Sequence, residues 1–237
     1  MAEKKYKRRI VDQLLAERLE EVGAVLIEGP KWCGKTTTAL QQARSTVMLA
    51  NPEVLQQSKS MIATSASHLL SGLVPRLFDE WQTLPELWDN IRYEVDARNE
   101  EGQFILTGSA VPVESDKIMH TGTGRFAWIT MRPMSLWESE ESTGDVSLQA
   151  LFDGDLAIKG ENKHQLEDIA FMLCRGGWPS ALGRSTRAAL RVASDYYDAV
   201  IKTDFVRVDN TLRNQNRSRM LLRSLARLQG TQTSIGV

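Results

Sequence analysis

The sequence predicts an α/β fold, in which helices flank a parallel β-sheet, and two observations carry this prediction. Short apolar segments alternate with amphipathic segments from residue 9 to residue 131, a pattern typical of parallel strands joined by helices. The first apolar segment, AVLIEG (24–29), leads directly into a glycine-containing turn and then a helix-forming stretch. From Lys163 onward the pattern is helical, which predicts a C-terminal helical appendage beside the sheet.

The helical spacing of apolar residues is clearest in two segments, 9–22 and 84–98. In the second segment, Pro85 stands in the first turn, a position that suits proline. The apolar face of this helix consists of Leu87, Trp88, Ile91 and Val95. The remaining predicted elements are strands at 24–29, 46–50, 74–80, 103–109 and 125–131, a helix from 34 to about 44, and a helix at 53–71 whose expected core residues are Met61, Ile62, Leu69 and Leu70.

The chain changes character between Ser135 and Asp168, where acidic residues dominate and surface loops with a short helix are expected. We therefore predict a sheet domain at 1–160 and a helical region at 161–237. A basic run near the end of the chain predicts a solvated helix face or a docking surface for the acidic stretch, and phosphate binding stays an alternative. This run consists of Arg213, Arg217, Arg219, Arg223 and Arg227.

Composition excludes several classes of protein. The 29 Lys and Arg residues balance 30 Asp and Glu residues, for a net charge of −1, which argues against a wholly basic nucleic-acid coat. Two cysteines and three scattered histidines form neither a disulfide framework nor a zinc spacing. No stretch approaches the 18 or so apolar residues of a membrane span. A reducing, cytoplasmic setting is the expectation.

The segment from Gly29 to Thr36 fits the pattern GxxxxGK[ST] between a strand and a helix, which is the phosphate-binding P-loop. Glycines let the loop curl so that its N–H groups and the following helix N-terminus face phosphate oxygens. Lys35 is expected to reach the β- and γ-phosphates of a nucleotide, and the Thr36 hydroxyl to bind Mg²⁺. The residues assigned to nucleotide binding are Gly29, Pro30, Lys31, Trp32, Cys33, Gly34, Lys35, Thr36 and Thr37.

The segment RLFDE (76–80) delivers two acids at the end of an apolar strand. Such a strand end supplies the second magnesium contact of a P-loop protein, which we assign to Asp79. Glu80 is placed to activate an attacking water as a general base.

Two further catalytic candidates lie beyond this strand. FILTGS (104–109) predicts a strand between the other two, and its Thr107 or Ser109 would contact the γ-phosphate or the water. Arg125 follows Gly122 and Gly124, so it suits a finger that neutralises phosphate charge within the chain or across a subunit boundary of a homo-oligomer. Arg132 is a lesser candidate because Pro133 and the preceding strand fix it.

In this order and spacing, GPKWCGKTT, RLFDEWQ, FILTGSA, GRFAWITMRPMSLWE and GGWP resemble the prokaryotic AAA_14 family of AAA+-type ATPases, which usually carry a DUF4143 region. The resemblance runs from about residue 20 to the end. It implies an ASCE-type P-loop core, the cofactors ATP and Mg²⁺, and a C-terminal region that is winged-helix-like and then nuclease-like. Since the sequence stops at Val237, we expect a truncated form of that architecture.

Other functions are weighed against an ATPase. Asn162-Lys163-His164-Gln165 begins like the guanine-reading NKxD motif of GTPases but lacks its acid. A small-molecule kinase would need a lid with clustered arginines, whereas residues 110–124 offer glycine, threonine and one lysine but no arginine. A nucleotide-dependent switch that does not hydrolyse, or that regulates DNA, stays open.

Overall fold

The computed structural model describes residues 6–108, 122–154, 159–204 and 214–231. The strands are β1 (Ala24–Glu28), β2 (Ser45–Met48), β3 (Arg76–Asp79), β4 (Phe104–Gly108) and β5 (Phe126–Thr130). The helices are α1 (Ile10–Glu21), α2 (Lys35–Ala39), α3 (Pro52–Leu70), α4 (Leu87–Arg98), α5 (Leu148–Phe152), α6 (Leu166–Arg175), α7 (Thr186–Ala199) and α8 (Gln215–Arg227). Short turns of 3₁₀ helix lie at Trp81–Thr83 and Pro179–Ala181, and a π-helical turn at Val200–Asp204 continues α7.

The five strands form one parallel sheet in the order β2-β3-β4-β1-β5. The P-loop strand β1 therefore pairs with β4, and β4 separates it from the acidic strand β3. This confirms the predicted α/β fold, the parallel sheet and the placement of the 104–109 strand between the other two. The carboxyl ends of all five strands meet at one edge, which lies beside the P-loop.

Alternation along β1 divides the core into two layers. Ala24 and Leu26 face the side that α3 and α4 cover, where the predicted apolar residues of α4 are buried. Val25 and Ile27 face the other side, where they pack with α1 and α2. Because both faces are covered, the strands read as continuous apolar runs.

Two predictions about helices differ from the structure. The helix after the P-loop is short, because α2 ends at Ala39 and tighter turns carry the chain onward, with the N–H of Gln42 bonded to the Ala39 carbonyl. Met61, an expected core residue of α3, is 41% exposed, whereas Leu69 and Leu70 are buried.

The C-terminal helices pack beside the sheet and form a small core of Ala181, Ala189 and Val192. Trp178, in the loop after α6, packs against this core and against the α1–α2 side of the sheet. The loop is also fixed by hydrogen bonding, since the N–H of Met134 donates to the Gly177 carbonyl at 2.7 Å. Among the described residues, no helix is both long and apolar enough to cross a bilayer.

Candidate functional site at the P-loop

The P-loop curls at the carboxyl end of β1. Gly29 has φ of 154°, and a Cβ there would lie 2.1 Å from the Met131 carbonyl oxygen, so glycine is required by both conformation and space. Gly34 begins α2 with φ of 108°. Lys35 is 6% exposed, and its Nζ donates to the carbonyl oxygens of Gly29 and Pro30 at 2.9 and 3.0 Å. The ammonium group is therefore held over the loop that the sequence predicts to bind phosphate.

Asp79 joins the P-loop to two strands. Its Oδ1 accepts hydrogen bonds from the hydroxyls of Thr36 and Thr107, each at 2.6 Å. Thr36 lies in the first turn of α2, Asp79 ends β3, and Thr107 lies on β4, so three elements meet at this carboxylate. Thr107 is fully buried and its hydroxyl donates to Asp79, so Thr107 positions that carboxylate; its contact with the γ-phosphate or the water stays a prediction.

These oxygen atoms suit a magnesium ion. Mg²⁺ prefers hard oxygen donors and is held by one or two protein ligands together with phosphate and water. The Thr36 hydroxyl and the Asp79 carboxylate, in mutual contact beside the P-loop, supply that kind of donor set. Among the described residues, no group of three or more His, Cys, Asp or Glu side chains forms a separate metal cage.

Glu80 lies directly after β3 and adopts a left-handed backbone conformation, with φ of 59°. Its carbonyl oxygen accepts hydrogen bonds from the Thr83 N–H at 3.0 Å and the Thr83 hydroxyl at 2.8 Å. One carboxylate oxygen, Oε2, accepts a hydrogen bond from Gln82 Nε2. Glu80 lines the same cleft as Lys35, Thr36 and Asp79.

Arg9 connects the N-terminal segment to the P-loop, a contact that sequence reasoning missed. Its guanidinium donates to the carbonyl oxygens of Cys33 at 2.7 Å and Arg132 at 2.8 Å, and to Glu138 Oε1 at 2.9 Å. The side chains of Arg9 and Glu138 are 4% and 5% exposed. We call Arg9 and Glu138 the clasp, because together they tie residues before α1 and after β5 to the P-loop.

Hydrogen bonding favours the ionised form of Glu138 in the clasp. Burial alone would raise the pKa of Glu138, but hydrogen bonds from the backbone N–H groups of Ser135 and Ile10 and from Arg9 outweigh it and lower that pKa. Within the P-loop, burial raises the pKa of the Cys33 thiol, so this thiol is kept neutral.

A cleft of about 1390 Å³ opens over the P-loop. This volume exceeds the usual range of ligand pockets, about 300–1,000 Å³, and leaves ample space for a nucleoside triphosphate. The N-terminal segment lines the cleft at Tyr6, Lys7 and Arg9. The C-terminal region also contributes to the lining, with residues that include Arg175, Pro179, Leu182 and Asp195.

Arg175 and Glu141 close one side of the cleft as an ion pair. The two Nη atoms of Arg175 donate to the two carboxylate oxygens of Glu141, at 2.5 and 2.7 Å. The hydrogen bonds from Arg175 are the main reason that the pKa of Glu141 is lowered. Since Arg175 ends α6 and Glu141 follows the sheet, the pair joins the two predicted regions of the chain.

The acidic stretch finds its partners at the cleft and not on the basic run near the C-terminus. Glu138, Glu140 and Glu141 pair with Arg9, Lys7 and Arg175, respectively. From the basic run, Arg219 pairs with Asp198 of α7 at 2.9 Å. The predicted docking of these arginines on residues 135–168 is therefore not formed among the described residues.

The catalytic candidates are distributed unevenly. Glu80 lies at the P-loop edge of the sheet, whereas Ser109 lies outside the described residues. Arg125 precedes β5 and lies where the strands begin; we call this side of the sheet the amino edge, and the side where the strands end the carboxyl edge. The Arg125 carbonyl accepts a hydrogen bond from the Ala24 N–H at the start of β1, and its Nε donates to Asp96 at 2.7 Å. Its predicted action on the nucleotide of its own chain is therefore wrong, because the length of β1 separates it from the loop. An action across subunits stays a prediction.

Arg132 lies at the other end of β5 from Arg125. It follows β5 at the P-loop edge, its side chain is exposed, and its carbonyl accepts from the clasp. Neither Arg9 nor Arg175 carries a local sequence signal, because each meets its partner over long chain separations. The one available hint was the paired glycine of RGGWP (175–179), which predicts a tight approach of backbones.

Comparison with solved structures finds many similar chains, including DnaA and RuvB. AMPPCP-bound DnaA from Aquifex aeolicus is 12% identical with a TM-score of 0.40, over 93% of this chain and 88% of that one. A single-substitution variant of RuvB from Thermotoga maritima is 20% identical with a TM-score of 0.37, over 92% of this chain and 68% of that one.

Two curated relatives are uncharacterized proteins, Rv2008c of Mycobacterium tuberculosis and Mb2031c of Mycobacterium bovis. Each is 28% identical over 144 residues, which is 59% of this chain and 32% of the relative. The match thus spans about a third of the length of these relatives.

Family models match two segments. Residues 166–237 match DUF8612, a domain of unknown function, where the resemblance had implied a DUF4143 region. Residues 21–140, which contain the P-loop, Asp79 and Glu80, match the AAA_14 model, described as an AAA domain. The chain belongs to the AAA_14 family.

Proposed function

We propose that this protein is a Mg²⁺-dependent ATPase that binds ATP in the cleft over the P-loop and hydrolyses it to ADP and phosphate. The observation that carries the proposal is the convergence of Thr36, Asp79 and Thr107, with contacts of 2.6 Å, beside a P-loop on which Lys35 is folded. Membership of the AAA_14 family supports nucleotide binding at this loop.

Each residue has a distinct part in the proposed reaction. The backbone N–H groups of the loop bind phosphate oxygens, with the charge of Lys35 directed at the β- and γ-phosphates. Thr36 and Asp79 would hold Mg²⁺, and the bound ion would neutralise the negative charge that develops on the phosphates during the reaction. Glu80 takes a proton from the attacking water.

The deciding experiment measures ATP affinity by titration calorimetry and phosphate release by the purified chain, with and without DNA. Lys35→Ala should weaken ATP binding because it removes the cation folded over the loop, while backbone donors preserve part of the affinity. Lys59→Ala is the matched control, since Lys59 is exposed on α3 and does not line the cleft. Equal ATP affinity in Lys35→Ala and Lys59→Ala would overturn the nucleotide site.

The same assay separates hydrolysis from a nucleotide-dependent switch. ATP binding without phosphate release, with or without DNA, would favour the switch over the ATPase. ADP formation that requires an acceptor molecule and releases no free phosphate would favour a kinase.

A further inference from the structure

The short turn after β3 contains a polar side chain that the proposed reaction has not used. Gln82 lies two residues after Glu80, in the 3₁₀ turn Trp81–Thr83, and its side-chain amide donates to Glu80 Oε2 at 2.5 Å. Gln82 is not among the residues that line the cleft. It therefore contacts the proposed base without itself lining the cleft.

The turn itself is firmly anchored. Trp81 is 4% exposed and packs on Trp88 of α4, with ring centroids 5.0 Å apart. Thr83 closes the turn onto the Glu80 carbonyl through its N–H and its hydroxyl. The backbone of Glu80 is thereby fixed, and its side chain is left with the Gln82 amide as a hydrogen-bond donor.

The turn also packs closely against Gly108, at the end of β4. A Cβ at Gly108 would lie 2.6 Å from Gln82 Oε1 and 3.0 Å from the Trp81 indole nitrogen, so only glycine leaves room for the turn. The amide of Gln82 thus lies between the Glu80 carboxylate and Gly108, at the carboxyl end of β4.

The other end of the amide is poorly satisfied. Gln82 Oε1 is buried and accepts no hydrogen bond from any of the described residues. A buried acceptor without a donor disfavours the folded state, so no contact of Oε1 within the described residues accounts for the placement of this amide. Local rules are commonly broken in this way where a side chain serves a site.

We infer that Gln82 is a positioning residue for the Glu80 carboxylate, holding Oε2 so that the carboxylate keeps one orientation toward the attacking water. The inference rests on the proposed function. Its consequence is that Gln82 acts on the rate of hydrolysis through Glu80 and has no part in binding ATP.

The test uses Gln82→Met, which keeps the length of the side chain and removes the amide. We expect kcat to fall by about tenfold to a hundredfold, the usual effect of losing a hydrogen bond to a charged group, with KM and the calorimetric ATP affinity unchanged within about twofold. Gln82→Asn keeps the amide on a shorter chain and should lose as much activity, which guards against a defect specific to methionine. Gln56→Met, on the exposed side of α3, is the matched control and should keep full activity.

A double variant shows whether Gln82 acts through Glu80. In single-turnover reactions with excess enzyme, adding Gln82→Met to Glu80→Gln should cause no further loss, because the base it positions is already gone. A further loss equal to that in the wild-type background, or a fall in ATP affinity that matches the fall in kcat, would overturn the inference. Normal turnover by Glu80→Gln would instead overturn the proposed base, a separate failure.

Discussion

The two edges of the parallel sheet carry charges in contrasting ways. At the carboxyl edge, Arg9 and Glu138 are buried as the clasp, and Asp79 is 5% exposed with two hydroxyl donors. At the amino edge, Arg125 and Asp96 form a pair whose side chains are 46% and 38% exposed. Both edges carry charge, but of these two ion pairs the one at the carboxyl edge is buried and the one at the amino edge is solvated.

The contrast teaches how to rank charged residues in this fold. Burying charges costs free energy even when they are paired, and good geometry with full hydrogen bonding only offsets that cost, so a buried pair such as the clasp indicates a constraint beyond stability. Here that constraint is the shape of the P-loop, because the clasp binds the carbonyl of Cys33. A solvated pair such as Arg125–Asp96 needs no such explanation.

The largest expected effect belongs to Glu80, at the carboxyl edge. Glu80→Gln keeps the shape of the side chain but cannot accept a proton, so turnover should fall about 10²–10⁴-fold, the usual value of a general base. ATP affinity should be unchanged. Phosphate release and titration calorimetry measure the two quantities on the same preparation.

Its control is Glu20→Gln, on the exposed face of α1, which should behave as wild type. Asp79→Asn should differ from Glu80→Gln by weakening the magnesium dependence of binding. Identical effects of Asp79→Asn and Glu80→Gln on that dependence would contradict the division of roles between the two acids.

The sequence was sufficient for everything at the carboxyl edge that is encoded locally. The loop 29–36, the strand that delivers Asp79 and the interposed strand 104–108 follow from glycine spacing and short apolar runs. The clasp does not, since its two residues are separated by 129 positions and Arg9 is one of several cations in KKYKRRI. Arg125 was misplaced for its own chain although the sequence contained the information: a residue that precedes a strand of a parallel sheet lies at the amino ends of the strands, away from a loop that follows β1.

Stability should distinguish the two edges next. Glu138→Gln leaves Arg9 buried with a weakened partner, so the free energy of unfolding should fall by up to about 3–5 kcal/mol, the cost of breaking a buried pair. The matched variant at the other edge, Asp96→Asn, should cost about 1 kcal/mol or less because its pair is solvated. Urea denaturation followed by circular dichroism measures both, and equal losses would contradict the ranking of the two edges.

Acid should reduce the difference in unfolding free energy between wild type and Glu138→Gln. The pKa of Glu138 lies below its ordinary value of 4.5 in the folded protein, so its ionised form stabilises the fold. This contribution is complete above the unfolded pKa and is lost as pH falls through the folded pKa. The gap in unfolding free energy between wild type and Glu138→Gln should therefore be constant near neutral pH and narrow below about 4.5. A gap that widens on acidification would reverse the sign assigned to this carboxyl.

The smallest effect is expected at the amino edge, for Arg125→Ala. In dilute protein, turnover should stay within about twofold of wild type and stability should fall by about 1 kcal/mol at most, since the side chain forms one exposed pair at the sheet edge away from the P-loop. Arg132→Ala, its counterpart at the carboxyl edge, should lower turnover more.

An action of Arg125 across subunits would give a different result. The loss of turnover in Arg125→Ala would then grow as protein concentration rises, and mixing Arg125→Ala with Glu80→Gln would restore activity, because mixed assemblies rebuild complete sites. Turnover that is independent of concentration and of mixing would leave Arg125 as a surface ion pair and move the search for a finger to Arg132.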